Sequence, residues 1–488
     1  MLKAYLGVDI GTTNTKFLLL GSNGVIIRTM KQITPKKVAQ KVEYLDIKKL
    51  QKMIEEVITS ISQVYSLQGI AFSSIGETVI PVSNREPLCE PLMWYDRASY
   101  PEWKKHRETV ESLAPYRVTG IENGYIFSIY KIIFQKHLFQ LDHVEHWLPV
   151  GSYFAYMFGA KATWDMSLAC RSLLIDVHKR QWNEPLVEYA GESLESMGAL
   201  VYTGQSIGET RDGIPIASGG HDHITGLYAA MAFARSREFL LDSMGSAAVV
   251  AAVVNANERE LELEKPFMAG GTIGIAFEES QYYIENDVRY YGRFLETMMK
   301  LTGFEPNREG FEEVNQLLGG SNDWELDPLF LVSGDLFTGE AMKGITVLDI
   351  PLGTTREQLL KSAYVYLASS TKTVVDKLEG IAGRALPIIA GGGGSQNGLL
   401  MKYKASLLNR DIAVLQTSEL TALGAAFAAA RGVGDTEAVN ACAVNYELLE
   451  TSPDHGLSGS IKRIHSEHLR RYEGIYKHKK IDLSRGEP

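Results

Sequence analysis

Asp9 closes a short apolar run, Tyr5 to Val8, and is followed by Gly11-Thr12-Thr13-Asn14-Thr15 and Lys16. A turn this rich in backbone N–H groups and hydroxyls suits phosphate oxygens. A carboxylate at its edge suits a hydrated Mg2+ held beside them. A second apolar run, Phe17 to Leu20, leads into the turn residues Gly21-Ser22-Asn23-Gly24, and Val25 to Arg28 returns as a third strand. The same residues also fit a plain hairpin in which Gly-Thr-Thr is only the turn.

A second group of chemistry-bearing residues lies far along the chain. Ile214 to Ala217 is strand-like and ends at Ser218-Gly219-Gly220, then His221-Asp222-His223 precedes a small-residue helix from Thr225 to Ala234. A helix N-terminus favours a negative charge, and a carboxylate placed there suits a general base acting on an alcohol. The rival reading is a His-Asp-His metal cluster. Adjacent side chains on one turn rarely converge on a single ion, and no second ligand set has recognisable spacing.

Two further residues are placed to meet a polar substrate. Glu77 sits where the strand Leu67 to Ile75 stops, and ligands in open α/β sheets gather at the carboxyl ends of strands. A solvated loop carboxylate is the plainer alternative. Trp94 precedes Tyr95-Asp96-Arg97 and could stack on a sugar while the charges fix its loop, or serve as partial core. Near the other end, the strand Ala385 to Ala390 runs into Gly391-Gly392-Gly393-Gly394-Ser395-Gln396-Asn397 and the helix Leu399 to Leu408. Glycines there let the backbone approach a ligand, and the helix N-terminus favours anions. The spacing is neither the dinucleotide fingerprint nor a Walker A loop.

The elements that must position these residues alternate in an α/β pattern. Apolar residues at threes and fours mark helices over Glu43 to Tyr65 and Arg356 to Leu378. Pro101 to His146 is helical in texture, Leu420 to Arg431 is an alanine-rich helix, and Ile461 to Tyr476 is a helix in a charged tail. Phe239 to Val254 repeats the opening design, with Asp242 on a strand and Gly245-Ser246 in a small turn, one residue out of register with Asp9-Ile10-Gly11. Duplication explains the repeat, and chance similarity is the alternative. The expected division is an N-terminal domain over residues 1–236, a C-terminal domain over 237–434 and a tail over 435–488.

At 488 residues the chain exceeds one ordinary core. A net charge of −10 argues against a nucleic-acid or anionic-membrane surface. Cys89, Cys170 and Cys442 form no CxxC, so a disulfide framework is not expected and a reducing, cytoplasmic setting fits. No apolar run reaches the roughly 18 residues needed to span a bilayer.

Taken together, Asp9 to Lys16, Trp94 to Arg97, Gly220 to His223, Gly245-Ser246 and Gly392 to Asn397 give the chain a resemblance to the FGGY carbohydrate kinases over roughly residues 4 to 432. The resemblance implies an α/β fold of two actin- or hexokinase-like (ribonuclease H-like) domains, with ATP and Mg2+ in the cleft between them. By that resemblance Asp222 is the catalytic base and Asp9 the metal-side aspartate, with Asp222 also facing the metal. Thr12, Thr13, Asn14 and Lys16 match the first phosphate loop, Gly245 and Ser246 the second, and Gly393, Gly394 and Asn397 the adenosine site. Glu77, Trp94 and His223 fall at the substrate. The implied reaction moves the γ-phosphoryl group of ATP to a hydroxyl of a small sugar or polyol, in a homodimer. Two positions depart from the pattern: Gly76 replaces the arginine that glycerol kinases pair with their glutamate, and His223 replaces an amide. A ketopentose such as xylulose is favoured; glycerol, a tetritol or a deoxysugar is the alternative. A silent sugar-binding regulator, a metallohydrolase and an Hsp70- or actin-like ATPase are the other classes open.

Overall fold

The computed structural model describes residues 1–113, 115–234, 236–245, 248–255, 271–288, 291–320, 324, 328–335, 340–417 and 419–479. Two large sheets carry the molecule. The first contains β1 (Lys3–Ile10), β2 (Asn14–Gly21), β3 (Ile26–Ile33), β4 (Ser66–Ser74), β5 (Ser206–Glu209) and β6 (Pro215–His221), in the order β5-β6-β4-β1-β2-β3. The second contains β7 (Phe239–Met244), β8 (Ala248–Asn255), β9 (Thr272–Ile275), β10 (Gln281–Asp287), β11 (Ile388–Gly391), β12 (Ile412–Val414) and β13 (Leu449–Thr451), in the order β9-β10-β8-β7-β11-β12-β13.

The two sheets repeat one plan. Each opens with an antiparallel hairpin, β1–β2 or β7–β8, whose first strand then pairs in parallel with β4 or β11. Each continues through a further parallel strand, β6 or β12, to an antiparallel edge, β5 or β13. The internal repeat read around Asp9 and Asp242 is therefore a repeat of whole sheets. Strands buried on both faces read as continuous apolar runs, which is why LGVDI, FLLL and AVVAAVV were visible as strands.

Helix α1 (Ile47–Ser62) buries Ile47, Leu50, Ile54, Val57 and Ile61 on one stripe and is N-capped by Asp46. It starts later than its apolar spacing suggests, because Val42–Leu45 pairs instead with Lys36–Ala39 as a small hairpin. The stretch from Pro101 to His146 is three helices, Tyr100–Leu113, Tyr116–Thr119 and Ser128–Phe139. Helix α2 (Asp222–Phe233) begins at Asp222 itself, three residues before the expected start, because β6 runs on to His221. Helices α3 (Arg356–Ala382), α4 (Gly398–Leu408) and α5 (Leu420–Gly432) follow in the second half.

Alanine-rich α5 belongs spatially to the first sheet. A Cβ on Gly7 of β1 would lie 2.1 Å from the Ala422 carbonyl oxygen, and one on Gly424 would lie 2.0 Å from the Thr225 carbonyl oxygen of α2. Backbone thus meets backbone at both faces of α5. Only glycine permits that approach, and the alanines fill what remains. This contact joins the chain's last third to the sheet that carries Asp9 and to the helix that carries Asp222.

Candidate active site

Asp9 is the penultimate residue of β1 and lies opposite Lys16 of β2. The turn between them is closed by Gly11 N–H donating to the Asn14 carbonyl at 3.1 Å, and Thr34 Oγ1 donates to the Gly11 carbonyl at 2.8 Å. Thr12 and Asn14 are half-buried and Thr13 is exposed, so the turn is held from behind and open in front. Lys16 Nζ lies 2.7 Å from Glu419 and 4.0 Å from Asp9. Glu419 immediately precedes α5, and nothing in the local sequence marks it as a partner.

Asp222 is the first residue of α2. Its Oδ1 accepts the His223 backbone N–H at 2.8 Å and lies 3.1 Å from His221 Nε2. Burial, then Arg171 and His223, hold His221 well below the usual imidazole range. A neutral ring with its proton on Nε2 donates to Oδ1 and leaves Nδ1 unprotonated; Nδ1 has no hydrogen-bond partner among the described residues. Both donors converge on Oδ1. Asp222 is one-quarter exposed through its side chain, at 25%.

The two aspartates feel each other. Burial raises the Asp9 carboxyl from 3.8 to about 7, and the charge of Asp222 is the next largest cause; Lys16 opposes them. Asp9 Oδ1 is a buried acceptor with no hydrogen-bond partner among the described residues. An unsatisfied buried carboxylate oxygen facing a second carboxylate is the donor chemistry that a hydrated Mg2+ accepts. These residues fit such an ion. The His-Asp-His metal-cluster reading does not gain support: among the described residues no group of three or more His, Cys, Asp or Glu is arranged to hold a metal.

The surroundings of Glu77 and His223 are more heavily charged than the sequence suggests. Arg171 lies buried, 5.5 Å above the Phe127 ring. Its Nε donates to Glu77 Oε1 at 2.7 Å, and its Nη2 lies 2.6 Å from the same oxygen. Its Nη1 donates to Glu285 Oε1 at 3.1 Å. Glu285 comes from β10 of the second sheet, and its Oε2 lies 3.8 Å from His223 Nδ1. Burial pulls the His223 imidazole down, but Asp222 and Glu285 outweigh it and raise it to about 9. Glu77 is buried in the left-handed region, at φ 51°. Trp94 Nε1 donates to Thr12 Oγ1 at 2.8 Å, tying the aromatic loop to the phosphate turn. Asp96 pins that loop by accepting the Glu43 and Ala98 backbone N–H groups, each at 2.8 Å.

The glycine loop stands by the second hairpin. Gly392 has φ 88°, and a Cβ there would lie 2.5 Å from the Met244 carbonyl oxygen. A Cβ on Gly394 would lie 2.8 Å from Met244 Cβ. The loop therefore packs on the residue before Gly245, which is exposed. Ser246 lies outside the described residues. Gly393 is exposed. Asn397 caps α4, with Oδ1 accepting Leu400 N–H at 3.1 Å and Nδ2 donating to Tyr364 at 2.9 Å. Asp242, the counterpart of Asp9 in the repeat, is buried with its Oδ2 in an ion pair with Lys404 at 2.5 Å.

A carboxylate near the end of a strand, Asp9, another at the start of a helix, Asp222, a hydroxyl-lined turn and a glycine loop are the parts that a phosphoryl-transfer site needs. The comparisons agree. The chain matches the N-terminal domain of the FGGY family of carbohydrate kinases over residues 4–228 and its C-terminal domain over residues 333–433. It belongs to that family and is a carbohydrate kinase, a phosphotransferase with an alcohol group as acceptor. It is 22% identical over 459 residues to a glycerol kinase of Enterococcus casseliflavus, covering 88% of each chain. Its fold is similar to that of xylulose kinase from Rhodospirillum rubrum, with a TM-score of 0.82, 18% identity, and 97% and 99% of the two chains covered. It is equally similar to Plasmodium falciparum glycerol kinase solved with ADP, with a TM-score of 0.81, 16% identity and 99% of each chain covered. No helix of the described residues is long and apolar enough to cross a membrane.

Proposed function

We propose that this carbohydrate kinase transfers the γ-phosphoryl group of ATP to a hydroxyl of a small neutral sugar or polyol, a ketopentose such as xylulose being the favoured acceptor. Glycerol or a tetritol, and a deoxysugar, are the alternatives. The observation that carries the reading is that Asp9 and the His221-Asp222 junction flank the end of one strand, β4, Asp9 paired with Ser73 and His221 with Ser74. Asp222 Oδ2 takes the proton of the attacking hydroxyl while His221 and the His223 amide hold Oδ1. Thr12, Thr13, Asn14 and Gly245 supply N–H and hydroxyl donors to phosphate oxygens, with Ser246 assigned to the same task. Mg2+ held through Asp9, with Asp222 nearby, supplies charge neutralisation at the phosphates when bound. Lys16, fixed by Glu419, sets the charge balance around Asp9. Gly393, Gly394 and Asn397 shape the adenosine side, Asn397 by holding the start of α4. Glu77, Trp94 and His223 meet the acceptor.

In this reading residues 1–236 carry the acceptor and 237–434 the nucleotide, with α5 returning to the first sheet and 435–488 forming the tail. Closure of the two halves excludes water and suppresses ATP hydrolysis. The enzyme is taken to be cytoplasmic and homodimeric, and light scattering of the purified chain tests the dimer. The test of function is ADP release over a panel of ketopentoses, polyols, deoxysugars and aldonates, with product mass recorded. Acceptor-dependent ADP release supports the reading; ATP turnover indifferent to every acceptor refutes it.

A further inference from the structure

Glu77 and Glu285 reach the site from opposite sheets, and one guanidinium holds both. Arg171 spends Nε and Nη2 on Glu77 Oε1 and Nη1 on Glu285 Oε1. It is seated on the Phe127 ring, which orients the plane of the fork. Both His221 and the arginine stem pack beside Gly76: a Cβ there would lie 2.9 Å from His221 Cδ2 and 3.2 Å from Arg171 Cγ. Each glutamate gives its Oε1 to the arginine. Among the described residues, Glu285 Oε2 is a buried acceptor without a hydrogen bond, its nearest charge being His223 Nδ1 at 3.8 Å, and the contacts of Glu77 with Arg171 all use Oε1. A buried acceptor left unpaired is costly until a donor reaches it. Hydroxyl groups are such donors, and a carboxylate is not.

We infer that Arg171 is the specificity-determining positioning residue of the acceptor site, holding Glu77 and Glu285 so that their second oxygens take hydroxyls of a neutral polyhydroxylated acceptor and turn away an aldonate. The inference rests on the kinase reading above and adds the residue that sets which acceptor is taken. Arg171 and His223 stand against three carboxylates, Glu77, Glu285 and Asp222, so the group carries one negative charge in excess and disfavours an acidic sugar. The arrangement also couples acceptor recognition to the approach of the two sheets, because Glu285 rides on β10 and Glu77 follows β4.

The test is steady-state kinetics of wild type, Arg171→Met, Arg171→Lys and Glu285→Gln on the best neutral acceptor and on the aldonate of equal chain length, with active-site concentration set by ATP binding. In wild type the neutral acceptor is expected to win by at least about a hundredfold in kcat/KM. Arg171→Met should raise the acceptor KM about ten- to a hundredfold, the size expected for a charged hydrogen-bond anchor, with the KM for ATP unchanged. Arg171→Lys, which keeps the charge and loses the fork, should fall between. Glu285→Gln frees one arm of the guanidinium and should narrow the neutral-to-aldonate ratio about tenfold. A rivet between the sheets would lower the melting temperature in all three variants and leave the acceptor KM and that ratio where they were; this result overturns the inference. Should Arg171→Met not fold, the lysine and Glu285→Gln variants decide it alone. A wild type that phosphorylates no acceptor on the panel would bring down the kinase reading, and this inference with it.

Discussion

Asp9 carries a cost that can be measured without any substrate. Its carboxyl rises from 3.8 to about 7 because burial disfavours the charge and Asp222 repels it. An acid whose value is raised on folding keeps its proton in the folded state at a pH where the unfolded chain has lost it. The contribution of Asp9 to stability therefore falls as pH rises through the interval from about 4 to about 7, then levels off. A displacement of that size is worth roughly 4 kcal/mol. Asp9→Asn removes the titrating group while keeping the shape. The stability of Asp9→Asn relative to wild type should climb by several kcal/mol between pH 4.5 and pH 8, whatever constant offset the buried amide introduces. Urea unfolding of both proteins at four pH values reads that difference directly, and it is the pH-dependent part that counts. The companion variant Asp222→Asn removes the second cause, so the gain from Asp9→Asn should shrink in its background. A coupling above about 0.5 kcal/mol at pH 8 would place the two carboxylates within each other's field. Parallel pH profiles for wild type and Asp9→Asn, with additive double-variant energies, would refute the reasoning.

Gly424→Ala and Gly7→Ala should each cost about 1–3 kcal/mol or more, because the added Cβ meets backbone at 2.0 and 2.1 Å rather than a side chain that can move; thermal unfolding checks this. Lys404→Met should destabilise by about 3–5 kcal/mol by leaving Asp242 charged and buried alone, and adding Asp242→Leu should recover most of the loss, as read by denaturant midpoints. Trp94→Phe removes the 2.8 Å bond to Thr12 and should lower kcat/KM for the acceptor by about three- to tenfold in steady-state assays.

Much of this architecture could be read before any coordinates. Asp9 and its hydroxyl-rich turn stand out because the flanking strands are buried on both faces and so are continuously apolar, leaving one acid conspicuous. Arg356–Ala382 and Leu420–Gly432 carry a helical period or an alanine run that few other structures accept. Helix Thr436–Asn445 was missed because its apolar face is small, with Ala438, Val439 and Cys442 as its buried residues. The acceptor side was half legible. Glu77 and His223 sit at strand ends, where pattern points to them. Arg171, Glu285 and Glu419 do not, because each gains its meaning from a partner 94 to 403 positions away: Arg171 from Glu77 and Glu285, and Glu419 from Lys16. The absence of a side chain at Gly76 was visible; that Arg171 occupies the space beside it is a fact of packing. The repeat sets Asp242 beside Asp9 in the pattern, and the structure gives them different partners: Lys404 lies 2.5 Å from Asp242, and Lys16 lies 4.0 Å from Asp9.

The proposed base is Asp222. Asp222→Asn keeps an oxygen for His221 and the His223 amide and removes only the ability to take a proton. Its single-turnover rate with a saturating neutral acceptor, measured beside its ATP affinity, is the most direct test. The expected rate is lower by about 10²–10⁴-fold with ATP binding unchanged; a near-wild-type rate overturns the assignment of Asp222 as base.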